Sequence, residues 1–280
     1  MTSADLFDLD GRVAIVTGAS RGVGAATAVA LAAEGCRIAC AARSTRDAPQ
    51  RTAGTLDETI ERIEAAGGVG VALPTNLADD EEVAQMVRVT VDRLGRLDVL
   101  VNNAAVTFVG DVEIPLRRHD LVMAINLQAP LIACRESIPH MTAAGGGRIV
   151  NVSSLAALVP FPGLMTYGVS KLALERLTVD LAGQLAPRGI AVNCFRIDVP
   201  VASEGFLANA PDLDHSDWEP PEVAAEGIVW LVRRAVTHSG RLESMYHVRQ
   251  REGIMASRAP RPFTGSPPTA MFEGIYGAGH

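Results

Sequence analysis

The chain is short of cysteine, of net positive charge and of long apolar runs, and each shortage excludes something. Its four cysteines, Cys36, Cys40, Cys134 and Cys194, form no C-x-x-C pair. They read as small buried hydrophobes in a reducing compartment, not as a disulfide framework or zinc site. The expected location is therefore the cytoplasm. The six histidines are scattered and include no H-E-x-x-H, so no metal site is expected. A formal net charge of −7 argues against nucleic acid or an anionic membrane as the main partner. No run approaches the roughly 18 to 20 apolar residues of a membrane span. The opening, MTSADLFDLDGR, is acidic and lacks the apolar stretch of a secretory signal. No internal repeat stands out.

What is present is a large apolar content arranged in a regular alternation. With 280 residues, 48% of them hydrophobic, the chain can bury the core of one large domain. Residues 12–17, RVAIVT, form a short β-branched run of the kind a buried parallel strand needs. The glycine-rich turn GASRGVG (residues 18–24) follows, and then an alanine-rich helical stretch to about Glu34. Strand, glycine turn and helix together make a phosphate cradle. Glycine lets the backbone approach a pyrophosphate, and the helix N-terminus offers unpaired N–H groups with partial positive charge.

The second strand, residues 37–42, ends in Ala42, with Arg43, Ser44, Thr45 and Arg46 directly after it. In dinucleotide folds an acidic residue at this strand end bonds the ribose 2′-hydroxyl and repels a 2′-phosphate. An uncharged Ala42 with arginines nearby, Arg43 after it and Arg21 in the glycine turn, suits a phosphate dianion. Further strands are expected at 69–73, 97–101, 148–152 and 190–195, with helices at 56–66, 82–94, 117–141, 166–186 and 221–233. Six strands alternating with helices define an α/β fold, a parallel sheet with helices on both faces. Residues 198–218 form a long connection that reads as a substrate lid. From Gly253 the Gly- and Pro-rich chain is expected to carry little regular structure, so the domain is drawn over 1–252 and an irregular tail over 253–280.

Ser154 follows the fifth strand, at the carboxyl end where open α/β sheets place their chemistry. Thirteen residues later, Tyr167 and Lys171 stand four apart at the start of a helix, on one face and within reach of each other. A tyrosine beside a fixed cation has a stabilised phenolate. Ser154 is not a hydrolase nucleophile, because no G-x-S-x-G surrounds it.

Over roughly residues 10–235 the sequence resembles the short-chain dehydrogenase/reductase family. TGASRGVG (residues 17–24) matches the family's TGxxxGxG loop, and NNAA (102–105) matches NNAG except that Ala105 replaces the glycine. Asn126, Ser154, Tyr167 and Lys171 fall on the family's catalytic tetrad with similar spacing. The resemblance implies a Rossmann-type doubly wound sheet in three α/β/α layers. It also implies hydride transfer between a nicotinamide cofactor and a carbonyl or alcohol carbon. Tyr167 would be the general acid/base, Lys171 the cation that also holds the nicotinamide ribose, Ser154 the donor to the substrate oxygen, and Asn126 the holder of a water. The implied cofactor contacts are Gly18, Ser20, Arg21, Gly22, Val23, Gly24, Ala42, Arg43, Ser44, Asn76, Leu77, Asn103, Ala104, Ala105, Tyr167 and Lys171, with NADP(H) preferred over NAD(H). The partner is a small carbonyl or alcohol compound. The apolar character of Val106, Phe108, Pro160, Phe161, Leu164, Met165, Phe206 and Trp218 suggests a largely apolar one. The assembly expected is a homo-oligomer.

Three departures stand out. Asn76 replaces the usual aspartate near the adenine. FRIDVPVASEG (195–205) replaces the Pro-Gly turn after the sixth strand, leaving Ser203 as a candidate for the nicotinamide carboxamide. The last strand has no VDGG-like sequence, and residues 238–248 are the candidate seventh strand. Two other readings of the fold remain open: a nucleotide-binding scaffold that performs no chemistry, and a lyase or epimerase using the same cofactor and tyrosine.

Overall fold

A computed structural model describes residues 6–209 and 212–263. Among these, seven parallel strands form one sheet in the order β3-β2-β1-β4-β5-β6-β7. The strands are β1 Val13–Thr17, β2 Arg37–Ala42, β3 Val69–Pro74, β4 Val99–Asn102, β5 Gly147–Ser154, β6 Ile190–Ile197 and β7 Leu242–Ser244. β1, β4 and the first seven residues of β5 are wholly buried. Their near-continuous apolar sequences suit strands covered on both faces.

Helices close the two faces. α1 Gly22–Ala33 and α8 Pro221–Val232 lie on one side, sharing a core with Val16, Val101, Val152 and Phe195. α3 Asp80–Leu94, α5 Ala129–Ala143 and α6 Met165–Leu185 lie on the other, around Ile15, Leu100, Ile149 and Val192. Alternate strand residues point to opposite faces, which divides the two cores between the same strands. α2 Leu56–Ala65 starts at a capping box in which Thr55 and Glu58 bond each other's backbone N–H groups.

The helix expected over 117–141 is real but interrupted. α4 Leu116–Met123 runs into a π-turn at Ala124–Gln128 before α5 continues. Asn126 sits in that turn and is fully buried. The seventh strand lies within the expected 238–248 but is only three residues long. Ser244 then caps α9 Met245–Glu252 by accepting from His247 N–H at 3.1 Å. Asp198, directly after β6, accepts from Tyr246 N–H at 2.9 Å. That bond ties the unusual post-β6 sequence to the start of α9.

The connection at 198–218 is partly structured. Val201 bridges to Glu219, and α7 Glu204–Asn209 follows. Trp218 is buried, with the Phe206 ring 4.9 Å and the His215 ring 4.2 Å from its own. Beyond α9, Gly253 ends the helix in the left-handed conformation and Met255 is fully buried, beside Phe195 and Gly227. The rest of the tail expected at 253–280 lies outside the described residues from 264 onward.

Candidate active site

The strand order reverses between β1 and β4, so a crevice opens at their carboxyl ends, the usual ligand site of a doubly wound sheet. The glycine turn lies there. Gly18 has φ +69, and a Cβ on Gly24 would stand 2.3 Å from the Gly18 carbonyl oxygen. Any side chain at Gly24 would push the turn away from the helix. No side chain caps α1, so its first N–H groups are unspent at the mouth of the crevice. That combination fits the phosphates of a dinucleotide.

Thr17 fixes the neighbouring turn. Its hydroxyl accepts from the Asn103 and Ala104 N–H groups at 3.0 and 3.1 Å, and the Asn103 amide donates to the Thr17 carbonyl at 2.9 Å. Ala104 thereby lies against Gly18, where a Cβ added to the glycine would stand 2.9 Å from Ala104 Cα. Ser20, Val23, Ala42, Ser44 and Leu77 are buried around this crevice, and Ala105 is exposed at its rim. Asn76 turns inward on its own loop, its side-chain amide oxygen Oδ1 accepting from Ala78 N–H at 3.3 Å.

The groups expected at a 2′-phosphate divide. Arg21 donates to the Ala53 and Gly54 carbonyls at 2.7 and 3.1 Å, and Ser44 donates to Gly54 at 2.8 Å. These side chains satisfy the carbonyls of the turn that precedes α2. Arg43 is exposed, close enough to Arg21 that the two charges repel. Partial burial lowers the Arg21 pKa, Glu204 opposes that shift, and Arg43 adds to it.

The catalytic candidates converge at the ends of β5 and α6. Ser154 ends β5, and its oxygen accepts from Ala156 N–H at 3.3 Å. Tyr167 lies across from it; burial raises the phenol pKa and the Ser154 hydroxyl acts the other way. Lys171 is buried, its Nζ 5.6 Å from the centre of the Tyr167 ring and donating to the Val152 carbonyl at 2.8 Å. Burial pulls its pKa down to about 8, against opposing influences from Cys194 and Glu175. Gly168 presses on the Ala156 carbonyl, where an added Cβ would stand at 2.6 Å, so α6 and the turn after β5 meet closely.

Asn126 gives both amide N–H groups, and accepts one bond, among protein groups. Its oxygen accepts from Val106 N–H at 2.9 Å, and its nitrogen donates to the Val106 carbonyl at 3.0 Å and the Ser170 hydroxyl at 3.1 Å. Ser170 in turn donates to the Tyr167 carbonyl at 2.7 Å. Asn126 therefore braces the turn carrying Tyr167 against the loop after β4. The same loop is clasped to the one before α6, where Gly110 N–H donates to Gly163 and Gly163 N–H to Asp111. Ser203 stands over Gly22, at the phosphate end of the crevice.

Sequence reading missed the polar frame behind these residues. Asn102 donates to Asn151 and Asn151 to Thr178, each at 2.9 Å, joining β4, β5 and α6 through buried groups. Glu175 and Arg196 form a buried two-pronged ion pair at 2.8 and 2.6 Å, one turn along α6 from Lys171. Asparagine between valines in the strand run RIVNV was one available signal. Among the described residues no cluster of metal-binding side chains occurs, and no helix is long and apolar enough to cross a membrane. The four cysteines are free and buried, with burial pushing the thiols of Cys36, Cys40 and Cys134 up to about 12.

Fold and crevice together define a dinucleotide-binding α/β protein with a Ser–Tyr–Lys group at the strand ends. The family model described as short chain dehydrogenase matches residues 12–199, and the chain belongs to that family of oxidoreductases. It is 36% identical over 217 residues to the 2-(R)-hydroxypropyl-CoM dehydrogenase of Xanthobacter autotrophicus, covering 71% of this chain and 84% of that one. A short chain dehydrogenase from Burkholderia cenocepacia in complex with NADP superposes with TM-score 0.75 at 30% identity, over 85% of this chain and 97% of the other. One from Mycobacterium paratuberculosis bound to NAD superposes with TM-score 0.73 at 28% identity and the same coverages.

Proposed function

We propose that the protein transfers hydride between NADP(H) and the carbonyl or alcohol carbon of a small, largely apolar compound, with Tyr167 as general acid/base. The observation carrying this reading is the meeting of Ser154, Tyr167 and Lys171 beside an uncapped glycine-loop helix. A bound nicotinamide would supply or accept the hydride. The chain's own residues do the rest. Ser154 donates to the substrate oxygen and holds it against the phenol, an electrostatic role. Tyr167, its pKa raised by burial, is protonated at neutral pH and ready to donate to a carbonyl. Drawing a proton from an alcohol instead needs the phenolate. Bringing an ordinary tyrosine from about 10 to about 7 takes roughly 4 kcal/mol. The Lys171 charge contributes to that stabilisation, and it is held next to the phenol by the Val152 carbonyl. With both Asn126 amide N–H groups given to protein, a water linking Lys171 to solvent would be held by the backbone of the π-turn, where such turns often serve function.

Relatives bind either nicotinamide cofactor, so the choice falls to the residues after β2. Ala42 puts no carboxylate there, and Arg43 projects an exposed charge. Both favour the 2′-phosphate of NADP(H). We assign the protein to the cytoplasm on its free, buried cysteines. A homo-oligomer would cover the apolar residues Val169, Leu172 and Val179 that α6 exposes.

The test is Tyr167→Phe, assayed on a panel of ketones, aldehydes and alcohols at the absorbance of the reduced cofactor. Turnover should drop by several orders of magnitude while cofactor binding persists. Near-normal turnover by the variant would sink the acid/base assignment.

A further inference from the structure

The segment after β6 reaches the phosphate end of the crevice and brings a carboxylate with it. A Cβ added at Gly22, the first residue of α1, would lie 3.0 Å from Ser203 Cβ and 3.2 Å from Glu204 Oε2. Glu204 is exposed, begins α7 and raises the Arg21 pKa by its charge. Two Arg21 nitrogens are already given to the Ala53 and Gly54 carbonyls. The α1 N-terminus has no side-chain cap of its own. A negative group is favoured at such a terminus, where the orphan N–H groups carry partial positive charge. The pyrophosphate of a dinucleotide is drawn to the same terminus for the same reason.

We propose that Glu204 is an internal competitor for the cofactor's pyrophosphate. Its carboxylate stands at the α1 N-terminus until cofactor arrives, and seating the pyrophosphate moves α7 off Gly22. Glu204 thus sets cofactor affinity and couples cofactor entry to the position of the segment that carries Phe206 and leads to Trp218. The inference rests on the nicotinamide reading and goes beyond it. Nothing in the chemistry of hydride transfer calls for an acid here. A carboxylate would weaken NADP(H) and NAD(H) equally, since both carry the pyrophosphate.

A residue serving only to start α7 would behave differently. Its replacement by glutamine would leave cofactor affinity unchanged or reduce it through a loosened segment. Competition instead makes the neutral variant bind more tightly.

The experiment is calorimetric titration of NADP(H) and of NAD(H) into wild type, Glu204→Gln and Glu204→Lys, at low and at 1 M salt. Glu204→Gln should tighten both cofactors by roughly two- to thirtyfold at low salt, the span of a single charge at a helix terminus. Glu204→Lys should tighten them further. The gain should shrink towards unity at 1 M salt, where charges are screened beyond about 3 Å. Because the side chain is exposed, neither substitution disturbs the core. Equal or weaker binding by both variants overturns the proposal, as does a gain that salt leaves intact. Measurable wild-type binding with no gain in the variants removes the competitor and leaves the nicotinamide reading standing. Absence of binding in all three proteins overturns both.

Discussion

Replacing Lys171 by methionine isolates the energetic cost of burying the site's cation. The Lys171 pKa lies near 8 in the folded chain against an ordinary value of 10.5, chiefly because burial disfavours the charge. That displacement is worth about 3 kcal/mol. Its sign follows from proton binding. Below pH 8 the lysine is protonated in both folded and unfolded chains, and folding bears the whole penalty. Between about pH 8 and 10.5 the unfolded chain holds the proton and the folded chain does not, so stability rises with pH. Above 10.5 neither holds it and the penalty has gone. Methionine fills similar space without titrating. The loss of the bond to the Val152 carbonyl is the same at every pH, because the neutral amine also donates. The assay is urea unfolding of cofactor-free protein from pH 7 to 10.5, comparing the parent chain with Lys171→Met. Both proteins should carry Tyr167→Phe, so that the phenol does not titrate alongside. The stability difference between the two should move by about 3 kcal/mol in favour of lysine across that window. A difference independent of pH would refute the claim that Lys171 is held as a desolvated cation.

Arg43→Ala should weaken NADP(H) by about tenfold to a hundredfold, the value of one charge-assisted hydrogen bond, and leave NAD(H) unchanged. Competitive titration of the two cofactors reads this directly, and unaltered NADP(H) affinity would show that Arg43 does not meet the phosphate. Glu175→Gln should destabilise the fold by about 3 kcal/mol, because it leaves the Arg196 charge buried without its counter-charge. It should also lower the Lys171 pKa further, since Glu175 is one of the groups holding it up. Denaturant unfolding measures the first effect and the pH profile of turnover the second; wild-type stability in the variant would contradict the structural role.

Much of the architecture was legible because it is local. The β-branched runs, the glycine turn and the acidic start of α3 act over a few residues. The parallel sheet follows from their alternation. The Tyr167–Lys171 relation is likewise local, four residues apart on a helix, and Ser154 ends its strand. Chain order alone therefore placed the catalytic candidates at the carboxyl ends of the strands. The three-residue β7 was harder to read, because it owes its existence to pairing with β6 and to the bonds that Ser244 and Asp198 make to the start of α9.

The tertiary structure decided where side chains spend their hydrogen bonds. Arg21 and Ser44 stand in the sequence as phosphate ligands, yet the fold turns them onto the carbonyls of Ala53 and Gly54. Asn126 reads as one polar residue in an apolar helix. Only the approach of the β4 loop and α6 gives it Val106 and Ser170 to bond. The Asn102–Asn151–Thr178 chain and the Glu175–Arg196 pair join groups more than twenty residues apart, with no periodicity to announce them. Glu204 at the mouth of the glycine turn is the same kind of fact. Sequence by itself determined the strands, the turn and the spacing of Tyr167 and Lys171, since backbone sterics and hydrophobic periodicity act over short range. Packing alone decided which buried polar groups meet, because each must find a partner when water is removed and that partner comes from whichever segment the fold brings near.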